Sequence, residues 1–156
     1  MPILALALVL AGCGFHLQGA LKAPPEMART YISASELHSQ FYRALSASLE
    51  AEGVDVVDSP TEATAIFTIE FDLTDQRVLS VSARNVPTEY EVFYTIRYSL
   101  QSGEKTLLEP QELTLTRSYT YNAALVLGKA SEEELLRDAI VKDLVRIVSK
   151  QISLLQ

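Results

Sequence analysis

Cysteine and histidine are the scarcest reactive residues in this sequence: it holds one Cys, Cys13, and two His, His16 and His38. A single thiol excludes an internal disulfide framework and a Cys-based zinc site. His16 follows Cys13 by three positions and His38 lies in a predicted helix, so the pair does not point to a catalytic or metal centre. No HExxH, GxSxG, P-loop or GxGxxG pattern stands in a setting where its chemistry would work. Carboxylates are plentiful, but Glu132-Glu133-Glu134 at a predicted helix start is accounted for by the helix dipole and capping. Positive charge is also short. The net charge of -7 argues against a general nucleic-acid binder, though not against a local basic site for an anionic ligand. Repeats and low-complexity segments are absent, and the apolar run at residues 3–9 is too short to span a bilayer.

What that run precedes is informative. Leu10-Ala11-Gly12-Cys13 follows it directly and reads as a bacterial lipoprotein signal. In that reading residues 1–12 are the signal peptide and Cys13 becomes the first mature residue. Its sulfur carries a diacylglycerol and its amine a further acyl chain; no other cofactor is expected. Two or more buried chains, at about 0.8 kcal/mol per CH₂, give stable anchoring. Lipidation also consumes a thiol that would be a liability in an oxidising compartment. The run departs from the usual pattern in having no Lys or Arg before it. The competing reading is an ordinary secretory signal, or a buried helix with an incidental cysteine. Gly14 rather than aspartate follows Cys13, which favours sorting to the outer membrane. Residues 13–27 form a lipidated N-terminus and leader, marked by Pro24-Pro25, and residues 28–156 a single domain.

Within that domain two periods alternate. Residues 29–32 suit a first strand. Ser33 and Glu36 have capping-box spacing, and Leu37, Phe41, Leu45 and Leu49 recur every fourth residue up to Gly53, predicting an amphipathic helix. A short strand at residues 54–57 ends at Ser59-Pro60. From Ala65 the period is two: Ala65, Phe67, Ile69, Phe71 and Leu73 share one face, and alternation continues through Arg77, Leu79, Val81 and Ala83. Residues 84–87 predict a turn. Tyr90, Val92, Tyr94, Ile96, Tyr98 and Leu100 form the next apolar face, Ser102-Gly103 signals a hairpin, and a last strand carries Leu113, Leu115, Arg117, Tyr119 and Tyr121. A second capping box, Ser131 and Glu134, opens a helix with Leu136, Ile140, Leu144, Ile147 and Val148 inward. The order is α+β: one-sided strand faces covered by two helices on one face of a mainly antiparallel sheet.

Cys13-Gly14-Phe15-His16-Leu17-Gln18-Gly19 resembles the mature start of the LPS-assembly lipoprotein (LptE) family. The resemblance continues through Arg84-Asn85 ahead of Glu89-Tyr90, Arg117-Ser118-Tyr119, and Asn122-Ala123-Ala124 with Lys129 before an acidic helix start. Gln18 departs from it, standing where several relatives carry arginine. The resemblance implies a two-layer sandwich of two helices on a four-stranded sheet. It further implies a non-catalytic outer-membrane lipoprotein on the periplasmic face. Such a protein plugs the barrel that inserts lipopolysaccharide (an LptD-like partner), assists its assembly, and binds lipopolysaccharide during delivery.

A lipopolysaccharide binder needs cations beside exposed apolar surface, and arginine grips phosphate through a bidentate fork. Arg84 in the turn and Lys129 just before the second helix match basic positions associated with lipid binding in that family, and they converge if both loops leave the same end of the sheet. Arg77 and Arg117 are the further candidates. Against this, Arg84 and Lys129 are readable as solvated turn residues and Arg77 as an edge charge that deters mispairing, while Arg117 sits within the last strand. For the barrel interface the aromatics Phe93, Tyr90, Tyr119 and Tyr121 are the candidates, while Tyr94 and Tyr98 are expected in the core. The alternative function is an outer-membrane lipoprotein that binds another periplasmic ligand or envelope protein; no motif motivates a hydrolase.

Overall fold

The computed structural model describes residues 22–121 and 126–155, the side chains of residues 126–131 excepted. After a 3₁₀ turn at Pro25–Met27, the order is β1 (Arg29–Ala34), α1 (Gln40–Ala51), β2 (Asp55–Val57), β3 (Ala65–Val81), β4 (Pro87–Ser102), β5 (Lys105–Thr120) and α2 (Val126–Ser153). Both helices cover one face of a single sheet of order β2-β1-β3-β4-β5. The α+β sandwich is as expected, but the sheet has five strands rather than four and is mixed: β1 runs parallel to β2 and β3, and the rest is antiparallel.

The additional strand is β2, the short strand expected at residues 54–57, at the edge of the sheet beside β1. It climbs only three residues beside β1, so residues 58–64 can bring the chain back to β1's other edge. Thr64 clamps that return. Its N–H and its hydroxyl both donate to the Arg29 carbonyl, at 2.8 and 2.9 Å, and its hydroxyl oxygen accepts from the Arg29 N–H at 3.1 Å.

Both helix starts move relative to the sequence reading. Ser33 belongs to β1, where Ser33 and Ala34 pair with Thr68 and Ile69. Ser39 caps α1 instead, its hydroxyl oxygen accepting from the Tyr42 N–H at 3.0 Å. Glu36 accepts from the His38 N–H rather than closing a capping box, and Leu37 is exposed. The second helix begins at Val126, so Ser131 and Lys129 lie inside it rather than before it. No proline interrupts 126–153, which lets the helix extend upstream of the acidic run. At the exit of α1, Gly53 has φ 88°. Its N–H donates to the Glu50 carbonyl and the Val54 N–H to the Leu49 carbonyl, both at 3.0 Å, a Schellman closure that favours glycine.

The core lies between the helix stripes and the lower half of the sheet. Phe41, Leu45 and Leu49 of α1, with Ile140, Leu144, Val148 and Ile152 of α2, bury against Phe67, Ile69, Ile96, Tyr98 and Leu100. Tyr94 and Tyr98 are buried, as the alternation predicted. Phe67 and Tyr98 stack with centroids 5.6 Å apart, and the Tyr98 hydroxyl donates to Gln151 of α2. The helices run side by side in the same direction, with Gln40 bonded to Asp138 and, further along, Ser48 to Ser149.

One bulge redirects β3. Ile69 pairs with Tyr98 and Phe71 with Arg97, leaving Glu70 as an extra residue. Because side chains alternate with period two, one extra residue exchanges the faces beyond it. Phe71 and Leu73, expected inward with Phe67 and Ile69, are therefore turned to the open face and exposed. Asp72, Thr74 and Gln76 take the helix side, sharing it with Ile96, Tyr94 and Val92.

Candidate functional site

The long strands β3 and β4 carry their turn just past the point where β5 ends. Glu89 pairs with Thr120, the last residue of β5, whereas β3 and β4 remain paired as far as Val81 and Pro87. The turn beyond is tightly made. The Ser82 N–H donates to the Val86 carbonyl at 2.8 Å and the Asn85 N–H to the Ser82 carbonyl at 2.9 Å. The Val86 N–H donates to the Ser82 hydroxyl at 3.2 Å. Asn85 takes the left-handed conformation, φ 59°, that asparagine tolerates better than most residues. Arg84 sits in this turn, exposed and without an ion-pair partner among the described residues.

Around the same end stands an apolar cluster, of which only Leu79 and Val81 belong to the strand face that alternation predicts. Val78, Leu79, Val81 and Val86 are 47, 51, 53 and 44 % exposed, a concentration of large apolar groups found around no other turn among the described residues. A second bulge explains it. Val78 pairs with Tyr90 and Ser80 with Glu89, so Leu79 is unpaired. The signal in the sequence was Val78-Leu79 side by side, which period-two alternation forbids on a half-buried strand.

Just below the tip, β5 and the start of α2 meet. Tyr90 stacks on Tyr119 at 5.7 Å and meets Tyr121 edge-on at 5.5 Å. Tyr119 is buried on the helix side, and its hydroxyl donates to Gln76 at 3.2 Å. Burial first, then the nearby Glu133 carboxylate, pushes its hydroxyl above the ordinary tyrosine range. That proximity puts the early turns of α2 over this end of the sheet, the end from which Arg84 projects. Lys129 lies on those turns, but its side chain is outside the described residues, as is Cys13. Of the four aromatic candidates, then, Tyr90, Tyr119 and Tyr121 form one nest, in which Tyr119 is an internal residue.

Phe93 is elsewhere, on the open face of the sheet. The Arg77 guanidinium lies over its ring at 5.7 Å and is held by Glu91, with Nε 2.6 Å from the carboxylate. This face also carries Phe71, Leu73, and a Thr95–Thr114 hydroxyl contact of 2.8 Å. Arg117 is committed to the helix layer: it donates to Asp143 of α2 at 2.6 Å, and Arg146 meets the same carboxylate at 3.1 Å. The hydrogen bond from Arg117, then that from Arg146, holds the Asp143 carboxyl below its ordinary value. Among the described residues no group of three His, Cys, Asp or Glu is placed to hold a metal ion, and no helix is long and apolar enough to cross a membrane. The geometry supplies binding surfaces, of which the Arg84 turn with its apolar collar is the most distinctive.

Known proteins resemble the chain over most of its length. The LptE family model, described as lipopolysaccharide-assembly, matches residues 26–152. The LPS-assembly lipoprotein LptE of Yersinia enterocolitica is 28% identical over 152 residues, covering 94% of this chain and 73% of that protein. The protein of the same name from Pectobacterium atrosepticum is 28% identical over 146 residues, covering 86% and 74%. Among solved structures, an uncharacterized lipoprotein B from Nitrosomonas europaea superposes with a TM-score of 0.74 at 29% identity, over 90% of each chain. The rare lipoprotein B of Shewanella oneidensis, with a TM-score of 0.67 at 20% identity, over 82% of this chain and 99% of that one, shares the fold.

Proposed function

Because this chain belongs to the LptE lipopolysaccharide-assembly family, we propose that it is the non-catalytic plug of an outer-membrane barrel and a lipopolysaccharide-binding subunit of the export machinery. The observation that carries this is the family match across residues 26–152, which spans both helices and all five strands. In this reading residues 1–12 are removed, Cys13 carries the diacylglycerol and N-acyl chain, and the domain sits at the periplasmic side of the outer membrane within an LptD-like barrel.

The surfaces suit that work. A barrel lumen is polar and hydrated. The open face, with its threonines, the Arg77–Glu91 pair and the ring of Phe93 beneath it, offers an amphiphilic wall of the same character. Arg84 and Lys129 contact lipid phosphate from the far end of the sheet. Arg77 and Arg117, already paired with Glu91 and Asp143, contribute to positioning rather than to the phosphate contact.

The test is a mild-detergent affinity purification of the full-length lipoprotein. Near-stoichiometric recovery of a large outer-membrane barrel is expected. An intact lipoprotein that purifies from the outer membrane without one would overturn the plug reading.

A further inference from the structure

We infer that the β3–β4 turn is a wedge that enters the acyl layer of an anionic lipid while Arg84 holds a headgroup phosphate. The inference rests on the lipid-binding reading above and deepens it by assigning the acyl contact to particular residues. Its first support is that Val78, Leu79, Val81 and Val86 expose large apolar surface within nine residues of chain. They do not make a docking face of the kind a rigid protein partner needs. Val78 shares the helix side with Tyr90, Leu79 is the unpaired residue of a bulge, and Val81 lies beyond a further register shift. A fluid acyl layer takes up such an irregular apolar knob without a preformed complementary cavity.

Desolvation gives the second support. Inserting a turn into hydrocarbon is costly when its backbone groups lose water without a substitute. Here the N–H groups of Ser82, Asn85 and Val86 are already satisfied within the turn, which leaves only those of Ala83 and Arg84, at the apex, to a phosphate or water. The polar groups at its neck are satisfied too: the Ser80 hydroxyl lies 2.7 Å from that of Thr88 and 2.9 Å from the Glu89 carboxylate. Charge complementarity gives the third. Arg84 stands at the apex of the turn, between Val81 and Val86 in the chain and with no anionic partner among the described residues, and a stem of its length lets a guanidinium fold back to a phosphate plane.

The chain contains no tryptophan, so Val81→Trp creates a single reporter at the tip. The test uses the full chain carrying Cys13→Ser, so that its own acyl chains do not bring it to lipid. Titrating purified lipopolysaccharide is expected to shift the Trp emission to the blue; a phosphate-bearing oligosaccharide stripped of acyl chains is not. A shift with phosphatidylglycerol vesicles as well would assign the site to anionic lipid generally, and a shift with lipopolysaccharide alone to the glycolipid. In a protein without the Trp reporter, Leu79→Ser with Val81→Ser should weaken lipopolysaccharide binding roughly tenfold, given two half-exposed aliphatic groups, and leave oligosaccharide binding unchanged. Lipopolysaccharide retained by the Val81→Trp protein with no blue shift would overturn the wedge alone. Absence of any lipopolysaccharide binding by the unsubstituted chain would overturn the lipid-binding reading and the wedge with it.

Discussion

Reversing one charge, Arg84→Glu, separates the lipid contact from the fold. Arg84 is exposed, stands in a turn closed by its neighbours' backbone groups, and has no ion-pair partner among the described residues. Its replacement should therefore change folding stability by no more than about 0.5 kcal/mol, the usual range for surface positions. Its effect on lipid should be much larger. An arginine–phosphate hydrogen bond contributes about 1.5–3 kcal/mol, and at 1.4 kcal/mol per factor of ten its loss weakens binding roughly 10- to 100-fold. Repulsion between the new carboxylate and the phosphate adds to this and is screened by salt, so the deficit should shrink as ionic strength rises. Arg84→Lys, which keeps the charge and loses the fork, should fall between. The measurement is Kd for purified lipopolysaccharide at two salt concentrations, with urea unfolding run on the same preparations. Arg117→Glu serves as the comparison, because Arg117 is bound to Asp143 and its loss acts on the contact between β5 and α2 instead. A folded Arg84→Glu protein that binds within twofold of the original would refute the assignment.

Two further outcomes test the architecture. Ser39→Ala removes the α1 cap and should cost about 1 kcal/mol, lowering Tm by about 3–5 °C, whereas Ser33→Ala and Ser131→Ala should each cost less than about 0.5 kcal/mol; equal losses at Ser39 and Ser131 in thermal melts would refute the helix boundaries. Tyr94, Tyr98 and Tyr119 all have hydroxyls raised above 10.0, by burial first and, for Tyr94, also by the carboxylate of Asp72. A raised folded value means the neutral form is favoured by folding. That stability is whole below pH 10.0 and is lost as pH climbs toward the folded values, so alkaline absorbance titration should show three of the seven tyrosines ionising late and together with unfolding. Seven coincident titrations near 10.0 in the folded protein would contradict the burial.

Most of the apolar repeat of each helix (though not Leu37 or Ile147, which stay out of the core) and the inward faces of β4 and β5 were legible because each depends on near neighbours in the chain. Phe41, Leu45 and Leu49 make a helix stripe wherever α1 packs, and Tyr94 and Tyr98 share a face in any pleated strand. What was not legible depends on pairing across the sheet. Ser33 has every local property of a cap, yet backbone bonds to β3 extend β1 through it, and Ser39 inherits the role. Glu70 looks like one more polar residue in an alternating strand. Only its register against Tyr98 and Arg97 shows that it is surplus and that Phe71 and Leu73 must face outward.

The candidate site divides along the same line. Arg84 was visible as a turn residue and through the family resemblance, but its apolar collar was not, because Leu79 and Val81 read as ordinary members of a period-two face. Two bulges in one strand do opposite things there. The first, at Glu70, brings Asp72, Thr74 and Gln76 to the helix side, where Gln76 receives the Tyr119 hydroxyl and Asp72 lies beside that of Tyr94. The second, at Leu79, breaks the face again just where the sheet runs out of partners, and leaves apolar groups without a core to join. A strand kept in strict register would have carried Ala65, Phe67, Ile69, Phe71 and Leu73 on one face and, after Asp75 and Arg77, Leu79 and Val81 on the same face. The interrupted strand is core at one end and a free, amphiphilic tip at the other, the division of labour that the proposed plug with a lipid contact would use.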